Sequence, residues 1–433
     1  MVFDFMNDCV RVGVFPSGSE VSAEVFRSLE NARIIELVGL SSVPDYGDVL
    51  FSNNRRDIPH IHHSGFIEAI RQCVSIHRLD LLIPGMDEVG YLLKQAEPEL
   101  GCQVVYAHLK TAEIIRRKST TYRALSGIVS TPKMLLPDAI QDNDFPCFLK
   151  LDIGYGSRGA RKIENRAQLE ALTEGERETG ILCEYLPGEE LTVDCFSDPQ
   201  SRLLFCGPRT RERIKTGISV SSRPVELTDE IHDIGLCISS ELNMSGCWFF
   251  QLKKDRGGRY KLLEVASRLA GSMSMHRLLG VNLILLDIYQ RLGFSVTVPA
   301  RREGDFRLER AFDARLVGKV RFNSVYVDLD DCLLSPQGVN TRVIAFIFAC
   351  LNRDLPVFLV TRHAGDLTAT LTRSRLAGLF DEIYHLVEGQ PKSSVIQHDN
   401  ALFIDDSFAE RLEVEQNSGA VVMSLDMLTE DFI

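Results

Sequence analysis

Ser245-Gly-Cys-Trp-Phe-Phe-Gln-Leu-Lys-Lys-Asp-Arg-Gly-Gly-Arg-Tyr-Lys-Leu-Leu-Glu-Val-Ala266 holds the most informative geometry in the sequence. Two strand-like runs flank Gly257-Gly258, and such a pair signals a two-residue hairpin loop. A hairpin closed there sets Gln251 opposite Glu264 on one face, Cβ atoms roughly 4.5–5.5 Å apart. Two oxygen donors at that spacing suit a hard cation such as Mg²⁺ bridging phosphate oxygens. A simple polar cross-strand pair is the plain alternative. Arg268 lies just beyond, and Arg209, Arg211, Arg213 and Lys215 form a second cationic cluster. Arginine forks match carboxylates and phosphates, although a solvated charge run reads the same way.

Upstream lies Phe148-Leu-Lys-Leu-Asp-Ile-Gly-Tyr-Gly-Ser-Arg-Gly-Ala-Arg-Lys-Ile163: a strand, a lysine, a flexible loop and a second strand. Gly154, Gly156 and Gly159 let backbone N–H groups approach an anion, and Ser157 and Arg158 add donors. Lys150 points its charge toward the same place. No Gly-Lys-Ser/Thr closes the loop, so it is not a Walker A loop, and an ordinary turn stays open. In Ile181-Leu-Cys-Glu-Tyr-Leu-Pro-Gly-Glu-Glu-Leu-Thr-Val-Asp194, Glu184 precedes a Pro-Gly break and Glu190 begins an alternating strand. Backbone there could pair with an adenine while a carboxylate accepts from ribose hydroxyls; a hairpin with exposed acids is the alternative.

Further out, the first ~110 residues alternate strand and helix. Strand candidates are Val10–Phe15, Arg33–Leu40, Leu79–Pro84 and Cys102–Ala107; helical patterns fill Glu20–Leu29, Gly65–Ile76 and Asp87–Gln95. Strands apolar at nearly every position imply a parallel sheet covered on both faces. The loop Pro16-Ser-Gly-Ser-Glu20 feeds a helix N-terminus where an anion could sit, but it lacks GxGxxG spacing and reads better as structural punctuation. From Thr111 to about Pro299 the character is α+β, and the polar, Arg-rich stretch Ala300–Arg310 reads as a linker or interface helix.

Together these residues resemble the ATP-grasp superfamily over roughly residues 10–300, in the carboxylate–amine ligase and carbamoyl-phosphate-synthetase-like branch. The resemblance implies that Lys118 and Lys150 bind ATP phosphates and that the Gly154–Gly159 loop is the flap over them. It makes Glu184, Tyr185 and Leu186 the adenine hinge, Glu190 the ribose acid, and Gln251 and Glu264 the metal ligands. Ala266 stands where the family usually has a metal-binding asparagine. The implied chemistry is phosphorylation of a substrate carboxylate by ATP, then displacement of phosphate from the acyl phosphate by an amine. Arg209, Arg211 and Arg268 would hold the carboxylate, with Arg213 and Lys215 beside them.

The C-terminal part carries its own signature. Ser324-Val-Tyr-Val-Asp-Leu-Asp-Asp-Cys-Leu-Leu334 is an apolar strand emptying into three acids, Val357–Arg362 a strand ending in a hydroxyl, and Ala401–Ser407 a strand ending in two acids. In an open parallel sheet the strand C-termini converge, so Asp328, Asp330, Thr361, Asp405 and Asp406 should face one crevice. Four like charges there repel unless a cation sits among them. With Lys392, this set resembles the haloacid dehalogenase (HAD) superfamily over about residues 321–433. The resemblance implies Asp328 as the nucleophile, Asp330 as the general acid–base, and Thr361 and Lys392 as holders of the phosphoryl group. Mg²⁺ would be bound by Asp328, the Asp330 carbonyl, Asp405 and Asp406. Asp331 and Cys332 replace the glycine and threonine common after the second aspartate. The two dozen residues between Leu334 and Val357 leave no room for a cap domain.

Charge agrees with this division. The 433 residues hold 48 Lys and Arg against 60 Asp and Glu, a net of −12. From Arg321 onward there are eight Lys or Arg against seventeen Asp or Glu, a net of −9, which leaves −3 for the first 320 residues. Such a balance disfavours nucleic acid and anionic membranes as partners. No apolar run approaches the ~20 residues of a membrane span, and the first residues carry acids where a signal peptide needs bases. Eleven cysteines, none closer than ten positions, exclude paired zinc motifs and CxxC, and fit reduced thiols in the cytoplasm.

The expected architecture is therefore α/β and α+β multidomain. A pre-ATP-grasp parallel domain spans 1–110, an ATP-grasp domain 111–299, a linker 300–320 and a minimal Rossmann-like HAD domain without a large cap 321–433. The expected function is ATP- and Mg²⁺-dependent ligation of a small carboxylate and amine, fused to hydrolysis of a phosphorylated metabolite, with a homodimer as the expected assembly. An ATP-binding module without turnover that regulates the phosphatase is the alternative.

Overall fold

A computed structural model describes residues 9–154, 156, 158–215, 217–311, 318, 320–397 and 399–429. The chain forms two compact units, Met1–Phe312 and Asp313–Ile433. Among the described residues no helix is long and apolar enough to cross a membrane.

The first unit opens with β1 (Val10–Phe15), β2 (Ile35–Leu40), β3 (Asn54–Arg55), β4 (Leu81–Pro84) and β5 (Gln103–Val104), a parallel sheet in the order β3-β2-β1-β4-β5. Its strands are apolar on both sides because both sides are covered. Val10, Val12 and Val14 share a core with Val25 and Leu29 of the helix Glu20–Leu29. Phe15, Val38 and Leu82 instead meet Phe66, Ile70 and Leu93 from the helices Phe66–His77 and Asp87–Leu100.

The strand expected over Cys102–Ala107 shrinks to β5, and the preceding helix does not stop at Gln95. It continues through Pro98 to Leu100 and ends at Gly101, whose φ of +79° a glycine accepts without strain. The loop Pro16–Glu20 is punctuation: Ser19 Oγ accepts from Ser22 N and caps the helix. The Asp45 carboxylate packs so close that a Cβ on Gly18 would lie 2.1 Å from its Cγ.

The rest of the unit is antiparallel. β6 (Met134–Leu135), β7 (Cys147–Leu151), β8 (Arg161–Ile163) and β9 (Gly180–Glu184) form one sheet in the order β6-β9-β7-β8. After β10 (Glu190–Ser197) and β11 (Leu203–Thr210) come the hairpin β12 (Arg213–Lys215) and β13 (Ile218–Ser222), then β14 (Gly246–Lys254) and β15 (Tyr260–Ala266). A second sheet runs β11-β10-β14-β15. One of its faces carries Leu191, Val193, Trp248, Phe250 and Leu262, buried with Ile231 and Ile238 of the helix Asp229–Glu241.

The Gly257-Gly258 loop is longer than two residues. Asp255 Oδ1 gathers the N–H groups of Gly257 and Arg259, and Lys254 faces Tyr260, one step out of the expected register. A bulge between Gln251 and Leu252 corrects the slip, and Gln251 does stand opposite Glu264.

Residues 302–310 are no free linker. Arg302 N donates to Leu279 O, and β16 (Leu308–Glu309) pairs with Ser221 and Ser222 of β13 in the sheet β12-β13-β16. Beside that two-residue strand stand ion pairs, Arg213 to Glu309 and Arg223 to Asp305. That is why a polar composition misled.

In the second unit β17 (Ser324–Val327), β18 (Leu334–Ser335), β19 (Gly338–Val339), β20 (Val357–Thr361), β21 (Glu382–His385), β22 (Ala401–Ile404) and β23 (Val421–Met423) follow in turn. Five of them make a parallel sheet in the order β21-β20-β17-β22-β23, and β18 and β19 form a small hairpin. Val325, Val327, Leu359, Leu402 and Ile404 pack under the helix Thr341–Leu351 through Val343, Phe346 and Ile347. The central place of β17 puts its C-terminal end between those of β20 and β22.

Candidate functional site

Strand register builds the floor of a cavity of about 230 Å³ in the first unit. On β10, Glu190, Thr192 and Asp194 share one face by the two-residue period. Glu190 lies across from Lys253, Thr192 from Gln251, and Gln251 in turn from Glu264. Arg211 follows β11 and reaches Glu190, 2.8 Å away, while Lys253 reaches the same carboxylate at 3.1 Å. The opposite wall comes from the other sheet: Phe148 and Lys150 on β7, Cys183 and Glu184 at the end of β9, then Tyr185 and Leu186. Glu184 is fixed by the Lys133 N–H, which donates to its Oε1 at 2.9 Å.

Two lysines enter this space. Lys118 begins the helix Lys118–Ala124, donates to Gly154 O at 3.1 Å and lies 3.8 Å from Glu264. Lys150 is 8% exposed and donates to the Tyr122 hydroxyl at 2.5 Å. Burial lowers the Lys150 pKa from its ordinary value, and burial raises that of Tyr122 well above its own.

Gly154, Gly156 and Arg158 also line the cavity, whereas Ser157 lies outside the described residues. The loop approaches the start of β13 so closely that a Cβ on Gly217 would fall 2.2 Å from the Gly156 carbonyl carbon. Gly217 has φ +78°, so both space and backbone demand glycine there.

Residues 176–311 match the family model described as ATP-grasp in the biosynthetic pathway with Ter operon. Among solved structures, the chain is similar to the biotin carboxylase of Campylobacter jejuni in complex with β,γ-ATP (15% identity, 67% of this chain and 72% of that one, TM-score 0.57). It is similar to the biotin carboxylase domain dimer of Hydrogenobacter thermophilus 2-oxoglutarate carboxylase with MgADP, ADP and bicarbonate (16%, 66% and 70%, TM-score 0.55). It is also similar to the L-amino acid ligase of Bacillus licheniformis (16%, 66% and 74%, TM-score 0.54). No curated protein matches it in sequence. The first unit has the ATP-grasp fold.

Within this ATP-grasp unit the cavity gathers Lys118, Lys150, Gly156, Arg158, Glu184, Tyr185, Leu186, Glu190, Arg211, Gln251 and Glu264. Four cations expected with them are placed elsewhere. Arg209 is 1% exposed and forks onto Asp194, which His276 also contacts at 3.0 Å. Burial opposes the charge on Asp194, but Arg209 and His276 outweigh it and hold the carboxyl below its usual range. Arg209 is thus a structural ion, not a substrate arm. Arg213 is exposed and paired with Glu309; Lys215 is exposed on the same short strand. Arg268 donates to Asp87 at 2.9 Å and to Leu269 O, so its fork is already occupied.

Ala266 belongs to the apolar core with Phe249 and offers no ligand atom. Phe148, Cys183, Lys253 and Tyr122 were missed by the sequence reading. The first and third were legible: each lies two residues from an expected site residue on the same strand, so on the same face.

The second unit brings its own set together. Asp328, Asp405 and Asp406 each offer a carboxylate oxygen, all within 4.8 Å of one another. Lys392 lies between two of them, 2.6 Å from Asp328 and 2.7 Å from Asp405. It starts a single 3-10 turn, Lys392–Val395. Burial, reinforced by Asp405, pushes the Asp328 carboxyl up to about 7 against the pull of Lys392. For Lys392 burial opposes the charge, but the two carboxylates outweigh it and raise its pKa.

Thr361 is buried and accepts from His363 N at 3.1 Å. Arg411 pins the corner by donating to the carbonyls of Asp405 and Asp406. The Asp330 side chain points to solvent and meets His363 Nδ1 at 2.9 Å, a partner no sequence spacing announced. Asp331 has φ +59°, which explains why glycine suits that position and why aspartate is among the residues that tolerate it. Cys332 is fully buried with its Sγ against Ile404 O, so it serves the core.

Proposed function

We propose that the first unit uses ATP and Mg²⁺ to join a small carboxylate to an amine. The observation that carries this is the cavity in which two lysines, a hinge of backbone and carboxylate, and the Gln251–Glu264 pair face one another inside an ATP-grasp fold. Glu184 to Leu186 receive the adenine and Glu190 the ribose. Lys118, Lys150 and the Gly154–Gly159 loop hold the phosphates. The oxygen donors of Gln251 and Glu264 suit Mg²⁺, which when bound would offset charge on the β- and γ-phosphates.

A substrate carboxylate oxygen attacks the γ-phosphorus, the bond to ADP breaks, and an acyl phosphate forms. The amine nitrogen then attacks the acyl carbon, phosphate leaves with the carbon–oxygen electron pair, and the amine loses a proton. Arg211, which lines the cavity and is held by Glu190, is the arginine assigned to the carboxylate. The measurement is ADP release with panels of carboxylates and amines. Release dependent on both, and lost in Lys150→Ala, is expected; equal rates in that variant would sink the reading.

The second unit is proposed to be a HAD-type phosphatase. It is supported by the Asp328, Asp405 and Asp406 carboxylates and Thr361 at adjoining strand ends, with Lys392 between two of the carboxylates. Hard carboxylate oxygens on Asp328, Asp405 and Asp406 suit Mg²⁺, whose charge would permit their close approach and polarise a phosphoryl oxygen. Asp328 attacks phosphorus, the ester bond breaks, and Asp330 gives its proton to the leaving oxygen; Asp330 then takes a proton from the water that hydrolyses the aspartyl phosphate. Phosphate release from small esters with Mg²⁺ tests this. Unchanged release in Asp328→Asn would overturn it.

A second reading, an ATP-binding module that regulates the phosphatase without turnover, is favoured by the neutral Gln251, the ligand-free Ala266 and the occupied fork of Arg268. Tight ATP binding without ADP release, together with an altered phosphatase rate, would select it.

A further inference from the structure

Lys150 is a buried cation whose hydrogen-bond partner among the described residues is neutral. Its Nζ donates to Tyr122 Oη at 2.5 Å and lies 5.0 Å from the centroid of the same ring. Tyr122 passes its own proton toward Leu263 O, 2.7 Å away, beside Glu264. The phenol is 2% exposed and burial keeps it protonated, so it accepts from the lysine and donates to the backbone at once.

Lys150 sits on β7 and Leu263 on β15, strands of two different sheets. One hydroxyl ties them across the cavity. Tyr122 lies four residues after Lys118, so the two side chains share one face of their helix. A carboxylate in place of the phenol would orient Lys150 equally well but cancel its charge. A phenol orients it and leaves the charge for an incoming anion.

We propose that Tyr122 is the positioning residue that holds Lys150 aimed and un-neutralised for the phosphates. This rests on the nucleotide reading of the cavity. The full chain and its Tyr122→Phe variant would be titrated by calorimetry with Mg-ATP and, separately, with adenosine. Loss of one hydrogen bond to a charged group should weaken Mg-ATP about ten-fold and leave adenosine unchanged, because the hinge at Glu184–Leu186 is untouched.

A Lys150→Met background should abolish the Tyr122→Phe effect if the hydroxyl acts through the lysine. Tyr122→Met runs in parallel as a second hydroxyl-free side chain. Equal weakening of both ligands in a variant that melts like the wild type, or unchanged Mg-ATP affinity, overturns the proposal. A Tyr122→Phe effect that persists undiminished with Lys150→Met does the same. A wild-type chain that binds no Mg-ATP overturns the nucleotide reading, and the role of Tyr122 with it.

Discussion

Lys150 and Lys392 are both buried, and their surroundings treat them in opposite ways. Lys150 has a phenol for company, and burial lowers its pKa. Lys392 is clasped by two aspartates, and its pKa is raised despite burial. On the proposed nucleotide reading, the first is a cation held ready for the phosphates. The second is a counter-ion keeping two carboxylates together. A buried lysine therefore says little about chemistry until its partners are known: a neutral partner leaves its charge uncompensated, and an anionic one balances it.

This contrast can be broken in several places. The largest effect should come from Asp328→Asn, which removes the proposed nucleophile; if the second unit is a phosphatase, phosphoester hydrolysis should fall by roughly three orders of magnitude or more while ADP release is unaffected. Next is Lys392→Met. It strands two buried aspartates, so the second unit should lose about 3–5 kcal/mol in metal-free buffer, read by chemical denaturation, and recover much of it with Mg²⁺. Lys150→Met should behave in the reverse sense, with ADP release down roughly a hundred-fold and no loss of stability, since a desolvated charge with no ion pair among the described residues is replaced by an apolar chain of similar length.

The smallest effect is a pH trend. The Asp328 pKa is raised from 3.8 to about 7 in the folded chain, so the native state holds more protons than the unfolded one across that window. Stability of the metal-free second unit should fall as pH rises from about 4 to about 7, and Mg²⁺ should flatten the slope. A stability that rises over the same range would show that the clasp on Lys392 dominates instead.

Much of this was legible in the sequence because it followed from period and order. The parallel sheets were carried by runs such as Val10–Phe15 and Val357–Thr361, apolar at almost every position. The convergence of Asp328, Thr361 and Asp405 followed from acids and a hydroxyl placed at strand ends. Gln251 was rightly set opposite Glu264, although by a tight turn that Asp255 prevents and a bulge restores.

What stayed hidden lies in tertiary pairing. A sequence does not reveal that Arg209 is claimed by Asp194, Arg268 by Asp87 and Asp330 by His363, separations of fifteen to 181 residues that only the folded chain closes. Arg209 and Arg211 look alike in a row of cations; one, on β11, is a structural ion, and the other, just past its end, lines the cavity.

The short pairing of β16 with β13 bears on how the halves can be separated by genetic surgery. Ending the first half at Pro299, where composition invites a boundary, would uncover an edge of β13 and deprive Arg213 and Ser221 of Glu309 and Arg223 of Asp305. Ending it after Ala311 keeps all of them. An edge left bare is an invitation to self-association, so the shorter truncation should aggregate where the longer one does not. The divisibility of this chain turns on a two-residue strand.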